Sequence, residues 1–413
     1  YFAEHGEAPL LARMEQTRAM GRGRLSPQAV ETLYGRRIAM SASRIDRLKS
    51  CHFGYFMEYG LRAKERTSAG FEAPEVGTFI HYLLENVNRD ICDRGGYGRV
   101  DRAALRRLVH HYVDEYARTQ IDGYAGKSAR FRYLFSRLRE TACAIVENIA
   151  DEMAVSDFRP VAFELSFGGK DGQLPAVTVT EGNTTLSVGG KVDRVDGWIK
   201  NGRLYLRVVD YKTGKKAFDL TDVRYGLGIQ MLLYLFTLQK EGGAYFGRPV
   251  EPAGVLYMPA RDIILRADRA VPPDKLEDML RRELRRTGML LGEPEVLTAM
   301  EHSALDAPCY LPVGTTKDGA VQGLLSSVVV NAAQMGKMAR YIDSLLHRVA
   351  REIRDGNIDA DPCTRGPQDS ACAWCAFQAA CWFDESRDKP HYLRKTTPEE
   401  FWQVVDREVE QHG

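Results

Sequence analysis

The sequence lacks any long hydrophobic run. No apolar stretch approaches the roughly 20 residues that a helix needs to cross a bilayer, and no signal-peptide pattern is visible. We therefore expect no membrane partner and a cytoplasmic location. Because the chain starts at Tyr1 rather than at a methionine, we also expect it to be a piece of a longer protein.

The sequence also lacks an excess of charge of either sign. Its formal net charge is +1 over 413 residues, so no whole-molecule field draws it to nucleic acid, and DNA binding would have to depend on local basic patches. It lacks the GxxxxGK[ST] phosphate-binding motif as well, so we expect no ATP hydrolysis. A chain of this length predicts two or three subdomains.

Cysteines are few, and three of the eight are clustered. Without a secretory signal, clustered cysteines more often bind metal than form disulfides. Cys372, Cys375 and Cys381 provide three nearby thiolates, and a metal site would take its fourth ligand from Cys51 or, locally, from Cys363. Zinc and iron–sulfur clusters both accept four cysteines, although structural zinc sites usually use two close pairs. Three further cysteines lack ligand spacing and are expected to be free thiols: Cys92, Cys143 and Cys309.

A β-hairpin is predicted over residues 188–212. Asn201-Gly202 between two alternating apolar runs is the strongest short-range hairpin pattern. If these two residues form the turn, the register places Asp193 directly across from Asp210 on the same face of the sheet, with Cβ atoms roughly 5 Å apart.

Two carboxylates and an ammonium group would share that face at the strand end. Strand side chains alternate, so Lys212 lies on the same side as Asp210. Carboxylates this close repel each other unless a cation lies between them, and oxygen ligands suit Mg²⁺. The hairpin therefore predicts a hard-cation site for cutting a phosphodiester. The alternative is an exposed polar strand end in which Lys212 simply pairs with Asp210.

Asp196 falls on the opposite face of the same hairpin, across from Arg207. We interpret these two residues as a cross-strand ion pair that contributes roughly a few tenths of a kcal/mol, rather than as part of a catalytic site.

Four short patterns occur in order along the chain. Their first and last residues are Gly77 and His81 (GxxxH), Gly190 and Asp193 (GxxD), Asp210 and Lys212 (DxK), and Gln230 and Tyr234 (QxxxY). Together they resemble the RecB-like branch of the PD-(D/E)xK nucleases. Residues 41–66, SASRIDRLKSCHFGYFMEYGLRAKER, resemble the segment that opens the nuclease domain of AddB-type helicase–nuclease proteins.

The resemblance implies a mixed α/β fold with a restriction-endonuclease-like core, in which helices flank a mixed β-sheet. It implies that His81, Asp193, Asp210 and the backbone carbonyl of Tyr211 hold one or two Mg²⁺ ions, with Mn²⁺ as a possible substitute that suits imidazole better. Lys212 would orient the attacking water and stabilise charge. Gln230 and Tyr234, four residues apart on one helix face, would help to hold the DNA strand.

The AddB-type and Cas4-like nucleases carry one cysteine before the core and three after it, and this chain resembles that pattern. The resemblance implies a [4Fe–4S] cluster held by Cys51, Cys372, Cys375 and Cys381. Its role would be structural, because it would clamp the N-terminal helix to the C-terminal tail across a very long loop.

The expected organisation has five parts. They are a linker-like extension at 1–40 with one short helix near 27–34, a cluster-ligand segment at 41–75, the nuclease core at 76–265 with a helical insertion at 101–155, a mainly helical region at 266–360, and the iron–sulfur loop and tail at 361–413. Within them we expect a helix at 76–87, strands at 161–167 and 254–258, one helix at about 221–240 and a long helix at about 327–355.

Three features have two interpretations each. Glu164 is either a further acidic group at the site or an ordinary exposed residue. Two runs of arginine form basic helix faces that either bind single-stranded nucleic acid or are merely solvated. They are Arg130, Arg132, Arg137 and Arg139, interleaved with aromatic residues, and Arg281, Arg282, Arg285 and Arg286.

By resemblance, the chain is expected to be a metal-dependent exonuclease acting on single-stranded DNA. It would be the nuclease part of a complex with an AddA-type helicase partner, in the repair of double-strand breaks by homologous recombination. Two alternatives remain: a stand-alone Cas4-like exonuclease, and a non-catalytic DNA-binding module stabilised by an iron–sulfur cluster.

Overall fold

The centre of the fold is a six-stranded mixed sheet. The computed structural model describes residues 4–19, 22–64, 73–121, 123, 126–169, 172–265, 271–366, 368–386 and 388–412. The helices are α1 (Ala8–Ala19), α2 (Pro27–Tyr34), α3 (Ala42–Ser50), α4 (His52–Tyr55), α5 (Ala73–Asp93), α6 (Arg102–Gln120), α7 (Ala129–Ala154), α8 (Leu220–Tyr225), α9 (Gln230–Phe246), α10 (Pro273–Leu284), α11 (Pro294–Met300), α12 (Ala332–Arg354), α13 (Gln378–Cys381) and α14 (Pro398–His412). The strands are β1 (Arg37–Met40), β2 (Arg159–Phe167), β3 (Val177–Glu181), β4 (Thr184–Val188), β5 (Gly190–Lys200), β6 (Arg203–Lys212), β7 (Val250–Pro259), β8 (Thr287–Leu291), β9 (Val313–Thr315), β10 (Val321–Gly323), β11 (Val328–Val330), β12 (Cys363–Gly366), β13 (Asp369–Ser370) and β14 (His391–Tyr392).

The main sheet has the strand order β11-β8-β7-β6-β5-β2. β5 is antiparallel to both β2 and β6, β6 and β7 are parallel, and β8 is antiparallel to β7. The crossover that makes β6 and β7 parallel runs through α9, which packs on both strands. The expected mixed α/β fold is confirmed.

The predicted hairpin has the predicted register. The β5–β6 ladder runs from Lys200–Arg203 to Arg194–Val209, and Asp193 and Asp210 are the next residues along it. Asn201 and Gly202 both have positive φ, 49° and 77°, as a tight two-residue turn that follows the twist of the strands requires.

The helix that carries His81 packs beside the other edge of the sheet. α5 contacts β2, and α6 and α7 stack behind it. Ile80, Leu83 and Val87 are buried, as their spacing predicted, and His81 lies at the margin of this apolar face and is half-buried. α6 and α7 are the two helices predicted between 101 and 155. No helix in the described part of the chain is long and apolar enough to cross a bilayer.

The predicted single helix at about 221–240 is wrong. It is two helices, α8 and α9, separated at Gly226 and Gly228, whose φ values are +81° and +63°. Left-handed backbone at two nearby glycines ends α8 and lets α9 start at Gln230. The break places Gln230 in the first turn of α9.

Two regional expectations also need correction. Residues 266–360 are not only helical, because β8 and β11 extend the main sheet through short runs of apolar residues. Residues 1–40 are not only a linker with one helix, because α1 also forms and β1 pairs in parallel with β4. Ile38 and Met40 of β1 are buried, so alternation over only four residues was enough to make a strand.

Candidate active site

The two carboxylates of the hairpin lie beside the histidine of α5. His81 Nδ1 is 3.3 Å from Asp193 Oδ1. The other oxygen of Asp193 accepts a hydrogen bond of 2.9 Å from the backbone N–H of Tyr211. Lys212 Nζ is 2.5 Å from Asp210 Oδ2. The structure thus brings together residues from three of the four patterns, at the common end of β5 and β6.

The pKa of Asp210 is raised to about 6. Burial is the largest cause and the negative charge of Asp193 adds to it, while Lys212 and His81 act in the opposite direction. Its Oδ2 is buried and makes no hydrogen bond of acceptable geometry despite the nearby ammonium group. A crowded, buried carboxylate oxygen with this deficit fits a cation that is bound between Asp193 and Asp210.

Glu164 belongs to the same cluster. Among the described residues, His81, Glu164 and Asp193 are the one group of three or more possible metal ligands whose ligand atoms lie within 4.8 Å of one another. The Glu164 side chain is 12% exposed and its Oε2 lies 2.6 Å from Lys191 Nζ. The interpretation of Glu164 as an ordinary exposed residue is therefore wrong.

The backbone at Glu164 explains why its side chain reaches the cluster. Its φ is +50°, in the left-handed region that costs a non-glycine residue about 1 kcal/mol or more. Phe163 and Leu165 on either side pair normally with β5, so the distortion is confined to one residue. A charged residue in the strand before the GxxD hairpin was the one sequence feature that pointed to it.

The helix that carries the QxxxY pattern packs against the strand that carries the GxxD pattern, and the contact is at Gly190. Gln230 Nε2 donates a hydrogen bond of 3.0 Å to the Tyr234 hydroxyl, so the two residues do share a helix face. A side chain at Gly190 would meet the Tyr234 ring at 2.6 Å and Phe167 at 2.9 Å. Gly190 therefore lets α9 approach β5 closely, which places Gln230 and Tyr234 beside the strand that carries Asp193. Burial is the main cause that raises the pKa of Tyr234.

The predicted cross-strand ion pair between Asp196 and Arg207 is confirmed, at 2.9 Å, but it is not an isolated pair. The two residues face each other, and both are fully buried in a network with Arg194, Arg286 and Glu152. Asp196 contacts Arg194 and Arg207 at 2.9 Å, and Glu152 contacts Arg207 at 2.9 Å and Arg286 at 2.7 Å. Glu152 lies on α7 and Arg286 just after α10, so sequence alone did not bring them to the hairpin.

This network lies on the face of the hairpin opposite the carboxylates. Arg194 and Asn88 both donate to the phenol oxygen of Tyr211, at 3.3 and 3.1 Å. Tyr211 lies between Asp210 and Lys212 in the chain, so its buried ring fixes the segment that presents both. Burial would raise the pKa of Glu152, but Arg286, Arg207 and Arg194 outweigh it and lower the pKa to about 2.

Replacing Glu152 with glutamine should destabilise the protein by about 3–5 kcal/mol. Among the described residues, the change leaves Arg194 and Arg207 with Asp196 as their one carboxylate and leaves Arg286 with none. Urea denaturation followed by circular dichroism at pH 7 measures the difference. Because the Glu152 pKa is depressed, its contribution is present above about pH 4.5 and is lost as pH falls toward 2. The difference in free energy of unfolding between wild type and variant should therefore become smaller in acid.

Glu140 provides the matched control for this prediction. It lies on the same helix, its side chain is 63% exposed, and it pairs only loosely with Arg106 at 3.4 Å. Glu140→Gln should change the free energy of unfolding by less than about 0.5 kcal/mol. Equal effects of the two variants would show that the buried network does not hold the hairpin.

The four cysteines of the expected cluster line one cavity. Cys51 at the start of α4 and Cys372, Cys375 and Cys381 of the C-terminal loop surround a volume of about 720 Å³. Cys363 is not in this lining; it lies in β12, with its thiol hydrogen-bonded to Ser50. Burial is the main cause that raises the pKa of the Cys51 thiol to about 11. Arg47 Nη2 lies 3.7 Å from Cys375 Sγ.

The spacing of the sulfur atoms bears on what the cavity would hold. Among the described residues, no three of these cysteines have sulfur atoms that all lie within 4.8 Å of one another. Thiolates on one tetrahedral zinc, with bonds of about 2.3 Å, would lie roughly 3.8 Å apart. Every set of three therefore includes at least one pair of sulfur atoms that is farther apart than two thiolates on one zinc ion would be.

Two of the four arginines on the basic face of α7 are neutralised. Arg137 pairs with Asp262 and Arg139 with Asp114, and Phe135 is buried in the core. These contacts favour an amphipathic helix with a solvated face over a nucleic-acid contact.

Comparisons with known proteins agree with this geometry. Residues 39–382 match the family model described as the PD-(D/E)XK nuclease superfamily. The chain is similar to bacterial proteins that are named as subunits of an ATP-dependent helicase/deoxyribonuclease. They are those of Desulforudis audaxviator (33% identical, 92% of this chain, 33% of the relative), Moorella thermoacetica (32%, 92% and 33%) and Acetivibrio thermocellus (31%, 94% and 34%). The chain spans about a third of the length of these curated relatives.

Proposed function

Since the chain belongs to the PD-(D/E)XK nuclease superfamily, we propose that it is the nuclease part of a helicase–nuclease complex. It would act as a metal-dependent exonuclease on single-stranded DNA, in the repair of double-strand breaks by homologous recombination. The observation that carries the proposal is the convergence of His81, Asp193, Asp210 and Lys212 at the end of one hairpin.

His81, Asp193, Asp210 and the Tyr211 carbonyl would hold one or two Mg²⁺ or Mn²⁺ ions, and the position of Glu164 adds a fifth candidate ligand. When bound, the metal would supply Lewis-acid activation of the phosphodiester and would acidify the attacking water. The burial of the Asp210 carboxylate and its closeness to Asp193, which raise its pKa, support this assignment.

The remaining residues would position the reactants. The Lys212 ammonium, held by Asp210 at 2.5 Å, would orient the attacking water and stabilise the charge that develops on the phosphate. The Tyr211 N–H fixes one oxygen of Asp193, which leaves the other oxygen directed toward His81. The Gln230–Tyr234 pair would contact the strand and hold it in line with the carboxylates.

The cysteine cavity would hold a [4Fe–4S] cluster through Cys51, Cys372, Cys375 and Cys381. The presence of all four cysteines in the lining of one cavity supports this proposal. When bound, the cluster would act as a scaffold that joins the start of α4 to the C-terminal loop, far from the carboxylates in the chain.

The complete assembly would need a motor. The sequence carries no Walker motif, whereas the similar proteins are named as parts of an ATP-dependent helicase. An AddA-type helicase partner would therefore supply the ATPase and deliver the strand. The complex would act in the cytoplasm.

Cleavage should depend strictly on a divalent metal. We expect an end-labelled single-stranded oligonucleotide to be degraded in Mg²⁺ or Mn²⁺, spared in excess EDTA, and degraded again when the metal is restored. Because protonated Asp210 cannot bind a cation, the metal concentration for half-maximal rate should rise as pH falls below about 6. Degradation at an equal rate in EDTA would contradict the proposal.

Two substrate controls define the reaction. A circular single strand should survive, because an exonuclease needs an end. The same oligonucleotide annealed to its complement should be degraded more slowly if single strands are the substrate. Rapid cutting of the circle would replace the exonuclease assignment with an endonuclease.

A further inference from the structure

A second cavity lies beside Lys212 and carries an excess of positive charge. Its volume is about 340 Å³, many times the roughly 30 Å³ of one water. Six cationic side chains line it: Lys212, Lys215, Lys216, Arg261, Arg282 and Arg285. Among its described lining residues, Glu283 is the one carboxylate.

Three separate elements bring these cations together. Lys215 and Lys216 lie in the loop that follows β6, Arg261 follows the end of β7, and the other two arginines lie at the end of α10. The hydroxyl of Thr287 on β8 donates to the backbone carbonyl of Lys216 at 3.0 Å, which ties the loop to the sheet. The cavity is therefore built by the core of the fold.

The positive charge in this cavity is only partly neutralised by the protein, since Asp210 pairs with Lys212. Glu283 contacts Arg261 at 2.8 Å and Lys215 at 3.6 Å, so one carboxylate serves two cations. Lys216 and Arg282 have no ion pair within 4.0 Å in the part of the chain that the structure describes, although the charge of Lys216 acts to lower the pKa of Asp46 and of Asp222. Cations held close together with fewer counter-ions than charges favour a bound anion.

The four arginines at positions 281–286, which were predicted to form one basic face, thus lie in three different environments. Arg281 points elsewhere and pairs with Glu277 at 2.6 Å. Arg286 is buried in the network behind the hairpin. Arg282 and Arg285 line the cavity. A helix face that is simply solvated would not place two of its arginines in the lining of one cavity with the lysine of the candidate active site.

We propose that this cavity is a phosphate subsite, which holds the DNA backbone next to the bond that is cut. The inference rests on the proposed nuclease function and adds to it the path of the DNA strand beside the active site. Lys212 belongs both to the cavity and to the catalytic hairpin, so a phosphate bound here is a near neighbour of the scissile one. Contacts to phosphate carry no sequence preference, as degradation of any strand requires.

The test compares two double variants of the full 413-residue chain. Lys215→Ala/Arg282→Ala removes two cations of the subsite and leaves Lys212 in place. The control, Lys275→Ala/Arg281→Ala, removes two cations of α10 that do not line the cavity. Binding of a fluorescent single-stranded oligonucleotide is measured by anisotropy in EDTA, at several salt concentrations, after melting curves show that each variant is folded.

The subsite variant should bind roughly tenfold more weakly than wild type in about 0.15 M salt, and its salt dependence should lose about 0.7 in log–log slope for each phosphate contact removed. In Mg²⁺ its KM should rise by a similar factor, while kcat stays within about twofold because the hairpin is intact. The control should match wild type in all three readings.

The outcomes separate this inference from the function on which it rests. If wild type binds and cuts DNA but the two double variants behave alike, the subsite is wrong and the nuclease assignment stands. If wild type neither binds nor cuts DNA, the proposed function fails and the subsite fails with it.

Discussion

Replacing Asp210 with asparagine should lower the rate of single-strand degradation by at least about 10²–10³-fold, the usual cost of losing one preorganised charged or polar group at a reacting centre. Asparagine keeps the shape of the side chain but removes the negative charge that would bind the metal and that holds Lys212 at 2.5 Å. Both the metal site and the orientation of the ammonium group depend on this charge. Release of labelled nucleotide in saturating Mg²⁺ measures the effect.

The variant should lose activity without losing stability. Because burial and Asp193 raise the pKa of Asp210 to about 6, the ionised carboxylate opposes folding at neutral pH in the absence of metal. This destabilisation by the ionised carboxylate is absent below about pH 4 and complete above about pH 6, where it lowers the free energy of unfolding by roughly 3 kcal/mol at most. In EDTA at pH 7.5, Asp210→Asn should therefore melt at or above the wild-type temperature.

Asp157 offers a matched control. Its side chain is 53% exposed and pairs with His302 away from the hairpin, so Asp157→Asn should leave the rate within about twofold. If Asp210→Asn retained the wild-type rate, the hairpin would not be the active site, and the proposed mechanism would be wrong at its centre. If its activity were lost together with its melting transition, the result would instead indicate a structural role.

Features fixed by near neighbours in the chain were predictable. The Asn201-Gly202 turn and the alternation of β5 and β6 set the register from which the proximity of Asp193 and Asp210 followed. The position of His81 on a helix beside the sheet followed from the spacing of apolar residues in α5. Each of these predictions used a period or a turn that a short segment determines by itself.

Features that depend on long-range packing were not predictable. Asp196 and Arg207 look like a surface pair from the hairpin alone, since Glu152 and Arg286 reach them from distant elements. Glu164 is turned inward by one residue with positive φ, which no strand pattern shows. β8 and β11 are short, and short apolar runs do not distinguish a strand from a buried turn of helix.

Replacing Cys51 with serine should remove the broad visible absorption of an iron–sulfur cluster and lower the melting temperature by roughly 7 °C. A link between Cys51 and the C-terminal cysteines closes a very long loop, and loop-closure entropy gives such a link about 6 kcal/mol. Serine is nearly the same size, so packing changes little. Absorbance, iron content and thermal melting of the anaerobically purified protein provide the measurements.

Two other cysteines decide what the cavity holds. Cys363 lies outside it and Cys309 lies far from it in the chain, so Cys363→Ser and Cys309→Ser should keep the absorption and the melting temperature. If Cys363→Ser, and not Cys51→Ser, lost the absorption, the site would be local to the C-terminal loop. Zinc without iron in the wild-type protein would rule out the cluster.

Loss of the cluster should loosen the C-terminal loop more than helices α3 and α4. A second set of contacts also attaches these two helices to the C-terminal part of the chain. Lys49 contacts both oxygens of Glu352 at 2.6 and 2.8 Å, and His52 lies 2.6 Å from Asp361. Burial disfavours the charged forms of both His52 and Glu352. Hydrogen bonds to Asp361 and Glu352 nevertheless raise the pKa of His52 to about 9, and His52 and Lys49 lower that of Glu352 to about 2.

At pH 7, hydrogen exchange in Cys51→Ser should therefore quicken in the loop that contains Cys372 and Cys375 and change little in α3. The contribution of His52 is complete below about pH 6.5 and is lost as pH rises through about 9, whereas that of Glu352 is lost only in acid. Raising the pH to about 9.5 should thus lower the protection of α3 amides, relative to their intrinsic exchange rates at that pH, in the variant but not in the wild type. Equal loosening of α3 and the loop at pH 7 would mean that the cluster alone holds the two ends together.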